Sequence, residues 1–438
     1  MMTEADTGGA LRQRTHMSDA PEGETSPPTA PGEDSRRGAE APADTQADYS
    51  VKEDFSSVCV IRVVQLNVIL YSTCFWIQQS CFPYLSKKLG VDNITYGYLQ
   101  TAFAVFQLVG GPLFGRFGDL MGARAALTLA YASGILTYGV LAFASSIPML
   151  FLSRAMSLFL ACMQGSQMVI TDIVAPEKRA DALGKLGLFY GVGMVIGPTL
   201  GGQITQRYGE EAAAMTATVG SLISMLTVIY YIPKHVKHVR TEEQSVANVF
   251  SFGEIARLMA NREAAFLLII KTVVGIPIGI LQSVFSRVAM TIFNLPADYN
   301  GMVMSYVGIV TMLVQGVGVG ILTKRYKDLS LMKFSTIIAT FAYILVAQVT
   351  SIEQFCVTML PLIVGMTTLQ VVISAAITKV VDPKDTGAMI GLGMATNSLI
   401  RTVGPTLGAY MLEIYGYSSI GYFGMIVCAV VSASLFRY

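Results

Sequence analysis

Apolar stretches long enough to cross a bilayer recur twelve times along the chain, separated by short polar joints. They cover residues 58–82, 96–117, 124–145, 149–173, 184–206, 212–232, 264–289, 300–322, 329–350, 356–379, 388–412 and 417–436. Each is close to the ~20 mostly apolar residues that a spanning helix requires. One interruption is much longer than the rest, the polar segment 233–263, so the pattern reads as six plus six. It predicts an all-α membrane protein with an N-terminal bundle at 58–232, a linker at 233–263 and a C-terminal bundle at 264–438. Within the linker, Phe250, Ile255, Leu258 and Met259 alternate with Glu254 and Arg257, the pattern of a short amphipathic helix lying on the membrane surface.

The two bundles are related in sequence. At an offset of 207, Pro176 maps to Pro383, Gly184 to Gly391, Gly197-Pro198 to Gly404-Pro405, Gly201 to Gly408, and Tyr208-Gly209 to Tyr415-Gly416. Two copies of one six-helix unit in the same orientation imply a pseudo-twofold axis along the membrane normal, with a solute site between the copies near the bilayer midplane.

Composition supports the membrane reading and closes other routes. Of the 438 residues, 53% are hydrophobic and 13% charged, against roughly 25% charged in soluble domains. A net charge of +1 gives no footprint for nucleic acid. The charge is uneven. Residues 1–54 hold 12 of the 29 acidic residues and 5 of the 30 basic ones, and are rich in Pro, Ser, Gly and Ala. The tail at 1–57 is therefore expected to be disordered and, lacking an apolar core, is not a signal peptide. Placing it in the cytosol puts 17 basic residues in cytosolic joints or at the C-terminus, and leaves Lys87, Lys88, Arg207 and Arg287 on the other side, the bias that orients membrane proteins. Both termini are expected to be cytosolic.

Chemistry inside the spans is sparse. The six cysteines sit in apolar runs without a CxxC pair, and His16, His235 and His238 lie outside every apolar stretch. No metal or cofactor site and no cluster of nucleophile and base is expected, so the chain does not read as an enzyme. No Asp or Glu stands in the middle of a span, and Asp172 closes the fourth. Three cations do enter spans: Arg154 in the first third of span 4, Lys271 a third into span 7, and Arg401 near the centre of span 11. Lipid exposure would cost each at least ~2.5 kcal/mol, so Lys271 and Arg401 are expected to face a central cavity. Gln164 and Gln167 add neutral hydrogen-bonding groups to span 4. Asn93-Ile-Thr95 is a glycosylation sequon, set close to span 2.

Two strings carry a resemblance. The joint between spans 2 and 3 reads Gly115-Arg116-Phe117-Gly118-Asp119-Leu120-Met121-Gly122-Ala123-Arg124, with Asp119 placed to cap span 3. It is similar to the loop signature of the major facilitator superfamily, keeping Gly115, Asp119, Gly122 and Arg124 and departing at Leu120 and Ala123. In span 5, Gly184, Gly193, Gly197, Pro198, Gly201 and Gly202 match every fixed position of that family's antiporter motif. Arg154 matches the basic residue of its span-4 motif. The strings Pro83–Gly90, Gly97–Thr101, Gly122–Thr128, Gln167–Asp172 and Arg401–Thr406 also resemble the organic cation transporter-like members of solute carrier family 22. The resemblance implies the twelve-helix facilitator fold and organic cation transport by proton antiport. The loop would latch the halves together, and the glycine face would seal the path between them. It also implies an apical plasma membrane or internal membrane location, with links to lipid metabolism. On this reading a proton gradient stands in place of a cofactor, and the partners are lipid, a small organic solute and protons. Asp172 is the expected coupling carboxylate with Arg154 beside it electrostatically. The three intramembrane cations point instead to an organic anion or lipid-like amphiphile, and a non-transporting scaffold recruiting partners through the acidic tail is a further alternative.

Overall fold

The structure is a computed structural model and describes residues 55–174, 176–233, 259–381 and 386–437. Most of the acidic tail and the amphipathic stretch of the linker lie outside the described residues.

Among the described residues twelve helical spans are present: span 1 (Phe55–Lys88), span 2 (Asn93–Met121), span 3 (Ala123–Ala142), span 4 (Ile147–Ile173), span 5 (Pro176–Tyr208), span 6 (Glu210–Tyr231), span 7 (Arg262–Thr291), span 8 (Ala297–Arg325), span 9 (Asp328–Ala347), span 10 (Ile352–Val380), span 11 (Thr386–Tyr415) and span 12 (Ser418–Arg437). Ten of them are long and apolar enough to cross a membrane by length and composition alone. The remaining two, spans 2 and 11, pack on each other across the two halves, and that contact is where they carry Asn, Thr, Tyr and Glu. Several helices outrun the apolar stretches because polar residues cap them. Asp92 accepts from the Thr95 amide, Asn261 from the amides of Glu263 and Ala264, and Ser351 from that of Gln354.

Each half has its own apolar core. In the first, Val64, Val68, Leu127, Tyr131, Tyr138 and Leu186 are buried; in the second, Val274, Ile280, Tyr343, Leu362, Leu369 and Ile373. Lipid gives no hydrophobic drive between helices, so close packing by small residues holds the bundle. Leu66, Phe341 and Tyr230 point outward, 65%, 64% and 82% exposed.

Two spans depart from the regular helices expected. Span 4 is broken: its first helix ends at Met156, a single 3-10 turn covers Ser157–Phe159, and helix resumes at Cys162. No Gly or Pro announces this break, and neighbouring spans take up the carbonyls it frees. Ser133 donates to Met156 O at 2.6 Å, and the Leu158 carbonyl sits where only Gly110 leaves room. Span 8 carries one π turn at Val314–Gly318, a one-residue insertion often found at functional positions.

Candidate functional site: a polar gap between two pseudo-symmetric halves

The halves touch at one end and part at the other. Toward the end marked by Lys88, Tyr208 and Tyr415, hydrogen bonds link them. Tyr84 donates to Leu295 O at 2.9 Å, Tyr98 and Tyr410 share a hydrogen bond of 2.6 Å, Thr101 meets Thr406 at 2.7 Å, and Thr199 meets Ser305 at 2.7 Å. Two reciprocal contacts reveal the pseudo-twofold: Gly97 of span 2 lies against the Pro405 carbonyl of span 11, and Gly301 of span 8 against the Pro198 carbonyl of span 5. At the opposite end the same four spans stand apart. Around Gly111 and Gly115 of span 2, Gly184 and Gly187 of span 5, Gly316 and Gly320 of span 8, and Gly391 of span 11, no atom of another described element comes within 4 Å of where a side chain would begin.

Several polar side chains inside the spans are accessible rather than packed. Gln164, Gln167, Gln282, Gln315, Asn397 and Arg401 are exposed although each lies within a span, which requires water beside them rather than lipid. Lys271 is half-buried, its Nζ 3.3 Å from where a Cβ on Gly393 would stand. Asn397 and Arg401 follow Gly393 at intervals of four, on one helix face. Gln370 of span 10 approaches span 7 one turn beyond Lys271, its Nε2 3.7 Å from a Cβ position on Gly275. Spans 7, 10 and 11 thus carry a lysine, an arginine and two amides at successive levels of the second half. Every described Asp and Glu lies at or near the end of a span.

Arg154 is not in this gap. It is fully buried inside the first half, with its guanidinium carbon 3.7 Å from the Phe82 ring centre and 5.3 Å from that of Phe103. Its nitrogens make no hydrogen bond to described protein atoms, so the rings supply the compensating interaction. Asp172 stands 18 residues further along span 4, on the order of 25 Å away at the helical rise. It borders a small cleft with Arg124, Ile173 and Ile232. The expected electrostatic partnership of these two residues is therefore not what the geometry offers: they occupy opposite ends of one span.

The loop signature also folds differently from expectation. Helix continues through Asp119 to Met121, so Asp119 is an exposed last-turn residue and not the cap of span 3. Gly122, with φ 86°, makes the reversal and serves as the boundary of both helices. Arg124 donates to the Ile229 carbonyl at the end of span 6, within its own half. Gly115 faces open space.

The span 5 glycines serve two neighbours. Gly193, Gly197 and Gly201 pack on Ser72–Thr73, Thr73–Trp76 and Ile77–Ser80 of span 1, in the same half. Of the motif residues, Gly202 and the Pro198 carbonyl meet the other half, at Ala297–Asp298 and Gly301. Gly184 touches nothing.

One cation escaped the sequence reading as a site residue. Arg287, near the end of span 7, is 4% exposed and reaches into the first half, where it meets Asn93, Ser86 and Val91. The sequon asparagine is thereby engaged on both sides of its amide, because it also donates to Glu413 at 2.7 Å. Its position on the far side with Lys87, Lys88 and Arg207 was the one available signal.

Comparison with known proteins agrees with this architecture. The sequence model described as Major Facilitator Superfamily matches residues 66–367 and 267–438. Human solute carrier family 67 member A1 is 35% identical over 412 residues, covering 92% of this chain and 97% of its own. Rat solute carrier family 22 member 18 is 36% identical over 386 residues, covering 86% and 93%. Among solved structures, the human organic anion transporter MFSD10 (TETRAN) aligns with a TM-score of 0.62 at 16% identity, covering 86% of this chain and 99% of that one.

Proposed function

The chain belongs to the Major Facilitator Superfamily, and we propose that it is a secondary-active transporter whose solute is an organic anion or anionic amphiphile, carried by alternating access. The observation that carries this reading is that the cations standing inside the second half's spans, Lys271 against Gly393 and the accessible Arg401, have no carboxylate beside them, since every described Asp and Glu lies at or near a span end. Two unpaired cations in a low-dielectric cleft raise the local concentration of negative solutes and repel positive ones. The open end carries Arg116, Lys178, Lys185, Lys324, Arg325, Lys327 and Lys379, a bias that supports reading it as the cytosolic end and the arrangement as inward-open.

Exchange of an organic cation for protons is the second reading. The complete glycine motif of span 5 and its tight fit on span 1 favour it. Uptake into proteoliposomes under an imposed pH gradient decides between the two. A labelled organic anion should accumulate, matched anions should compete, and Lys271→Gln with Arg401→Gln should abolish accumulation. Competition by organic cations alone would replace the first reading by the second.

A further inference from the structure

Arg287 holds a position that its pseudo-symmetry mate does not. At the offset of 207 its counterpart is Ser80, whose hydroxyl turns back on the Ile77 carbonyl at 2.9 Å and stays within its own half. Arg287 instead crosses to the first half. Its Nε donates to Asn93 Oδ1 at 2.8 Å, Nη1 to Ser86 Oγ at 3.2 Å and Nη2 to the Val91 carbonyl, and the guanidinium carbon lies 5.2 Å from the Tyr96 ring centre. All four partners fall between residues 86 and 96.

The socket is rigid. Span 1 ends in a two-bond reversal, with the Gly90 amide on Lys87 O at 3.0 Å and the Val91 amide on Ser86 O at 2.9 Å, and Gly90 takes φ 74°. Ser86 Oγ gives its own hydrogen to Pro83 O at 2.7 Å, so its lone pairs are left for the guanidinium. Asn93 then ties Arg287 to Glu413 of span 11: its oxygen accepts from the cation and its nitrogen donates to the carboxylate. An amide is the side chain that answers both. A carboxylate at 93 would face Glu413 with like charge, and an apolar residue would leave the buried guanidinium short of a partner.

Resting on the alternating-access reading above, we propose that Arg287, Asn93 and Glu413 form the latch of the closed end: a gate that must release the guanidinium from the 86–93 socket before that end can open. The latch acts on the flank of spans 2, 7 and 11, while the flank of spans 5 and 8 closes by glycine packing and by hydrogen bonds of Ser305 to Thr199 and to the Val195 carbonyl.

Distance measurements between spin labels on the full chain test this. Label pairs at exposed positions outside the latch, Lys87 with Tyr415 and Gln206 with Tyr299, report the separation of the halves at the closed end. In the parent protein, changing pH or adding solute should move both pairs between a short and a long distance. Arg287→Ala should raise the long-distance population at least ~tenfold, the scale of losing a buried charged hydrogen-bond partner. Arg287→Lys, which keeps the charge and loses the fork, should fall between. Asn93→Leu and Asn93→Asp should shift the same populations in the same direction, and they carry the test if the arginine variants do not yield folded protein. Unchanged distances in folded Arg287→Ala and Asn93→Leu, in a parent protein that does switch, would overturn the latch alone. A parent protein that never reaches the long distance would overturn the transport reading on which the latch rests.

Discussion

Spans 5 and 11 occupy equivalent places in the two halves, yet they hold their neighbours by different means. On span 5, Gly193, Gly197, Gly201 and Gly202 bring backbone against backbone. A Cβ on Gly197 would stand 2.7 Å from both the Thr73 carbonyl oxygen and the Trp76 Cβ. On span 11 the equivalents of Gly193 and Gly202 are Ile400 and Ala409, and a Cβ on Gly404 would find its nearest atom at 3.4 Å. Ile400 is accommodated by glycines on the partner, Gly275 and Gly279 of span 7. Between the halves, span 11 meets span 2 through polar pairs as well as the close approach of Gly97 to the Pro405 carbonyl: Asn93 with Glu413, Tyr98 with Tyr410, Thr101 with Thr406, and Arg287 behind them. Small-residue packing is short-ranged and leaves little room to adjust. Hydrogen bonds at the edge of a water-filled gap exchange with water at a modest net cost. The difference gives span 5 a fixed seat on span 1 inside its own half and makes the polar contact of spans 2 and 11 between the halves the releasable one.

Breaking the fixed contact should have the largest effect. Gly197→Val drives a branched side chain into the span 1 backbone and should cost about 3 kcal/mol or more, the upper range for overpacking, whereas Gly404→Val should cost about 1 kcal/mol. Thermal unfolding of the two purified variants checks this, and equal losses would erase the contrast between the flanks. Next, Lys271→Gln and Arg401→Gln should each weaken binding of an organic anion roughly tenfold, about 1.4 kcal/mol, without lowering the unfolding temperature. The loss should shrink as salt is raised, because the gap is wet and screened. Unaltered affinity in both would remove the anion reading. Tyr98→Phe or Tyr410→Phe deletes one hydrogen bond of the releasable flank and should favour opening there by about 1 kcal/mol, readable as a change in the label distances between Lys87 and Tyr415.

The smallest effect concerns the cap of span 2. Hydrogen bonding to Thr95, first through its side chain, holds the Asp92 carboxyl below the usual carboxylate range. A carboxyl with a depressed folded value contributes stability that is present above its unfolded pKa and is lost as pH falls through the folded one. Asp92→Ala should therefore cost up to about 1 kcal/mol at neutral pH and nothing measurable once the pH is well below that range. Unfolding followed across pH reads the difference.

Much of the architecture was legible in the chain because its causes are local. The length of an apolar run, the bias of Lys and Arg between joints, and the 207-residue repeat of Gly-Pro strings are all properties of neighbouring residues. Lys271 and Arg401 could be singled out for the same reason, as charges standing inside apolar runs. Arg154 was visible on the same grounds, but its surroundings were not: Phe82 and Phe103 come from spans 1 and 2, and only the packing of three helices turns the arginine inward. The break in span 4 left no mark because its carbonyls are satisfied by Ser133 and accommodated by Gly110, residues 23 or more positions away. The latch is the extreme case. Arg287, Asn93 and Glu413 lie on three different spans, 194 and 320 residues apart in their pairings. Hydrophobic pattern could say that helices long enough to cross a membrane recur along the chain, since each residue responds to the solvent layer it occupies. Which cation faces water, which lies on aromatic rings and which pins the two halves together depends on which helices become neighbours, and that was decided only when the bundle packed.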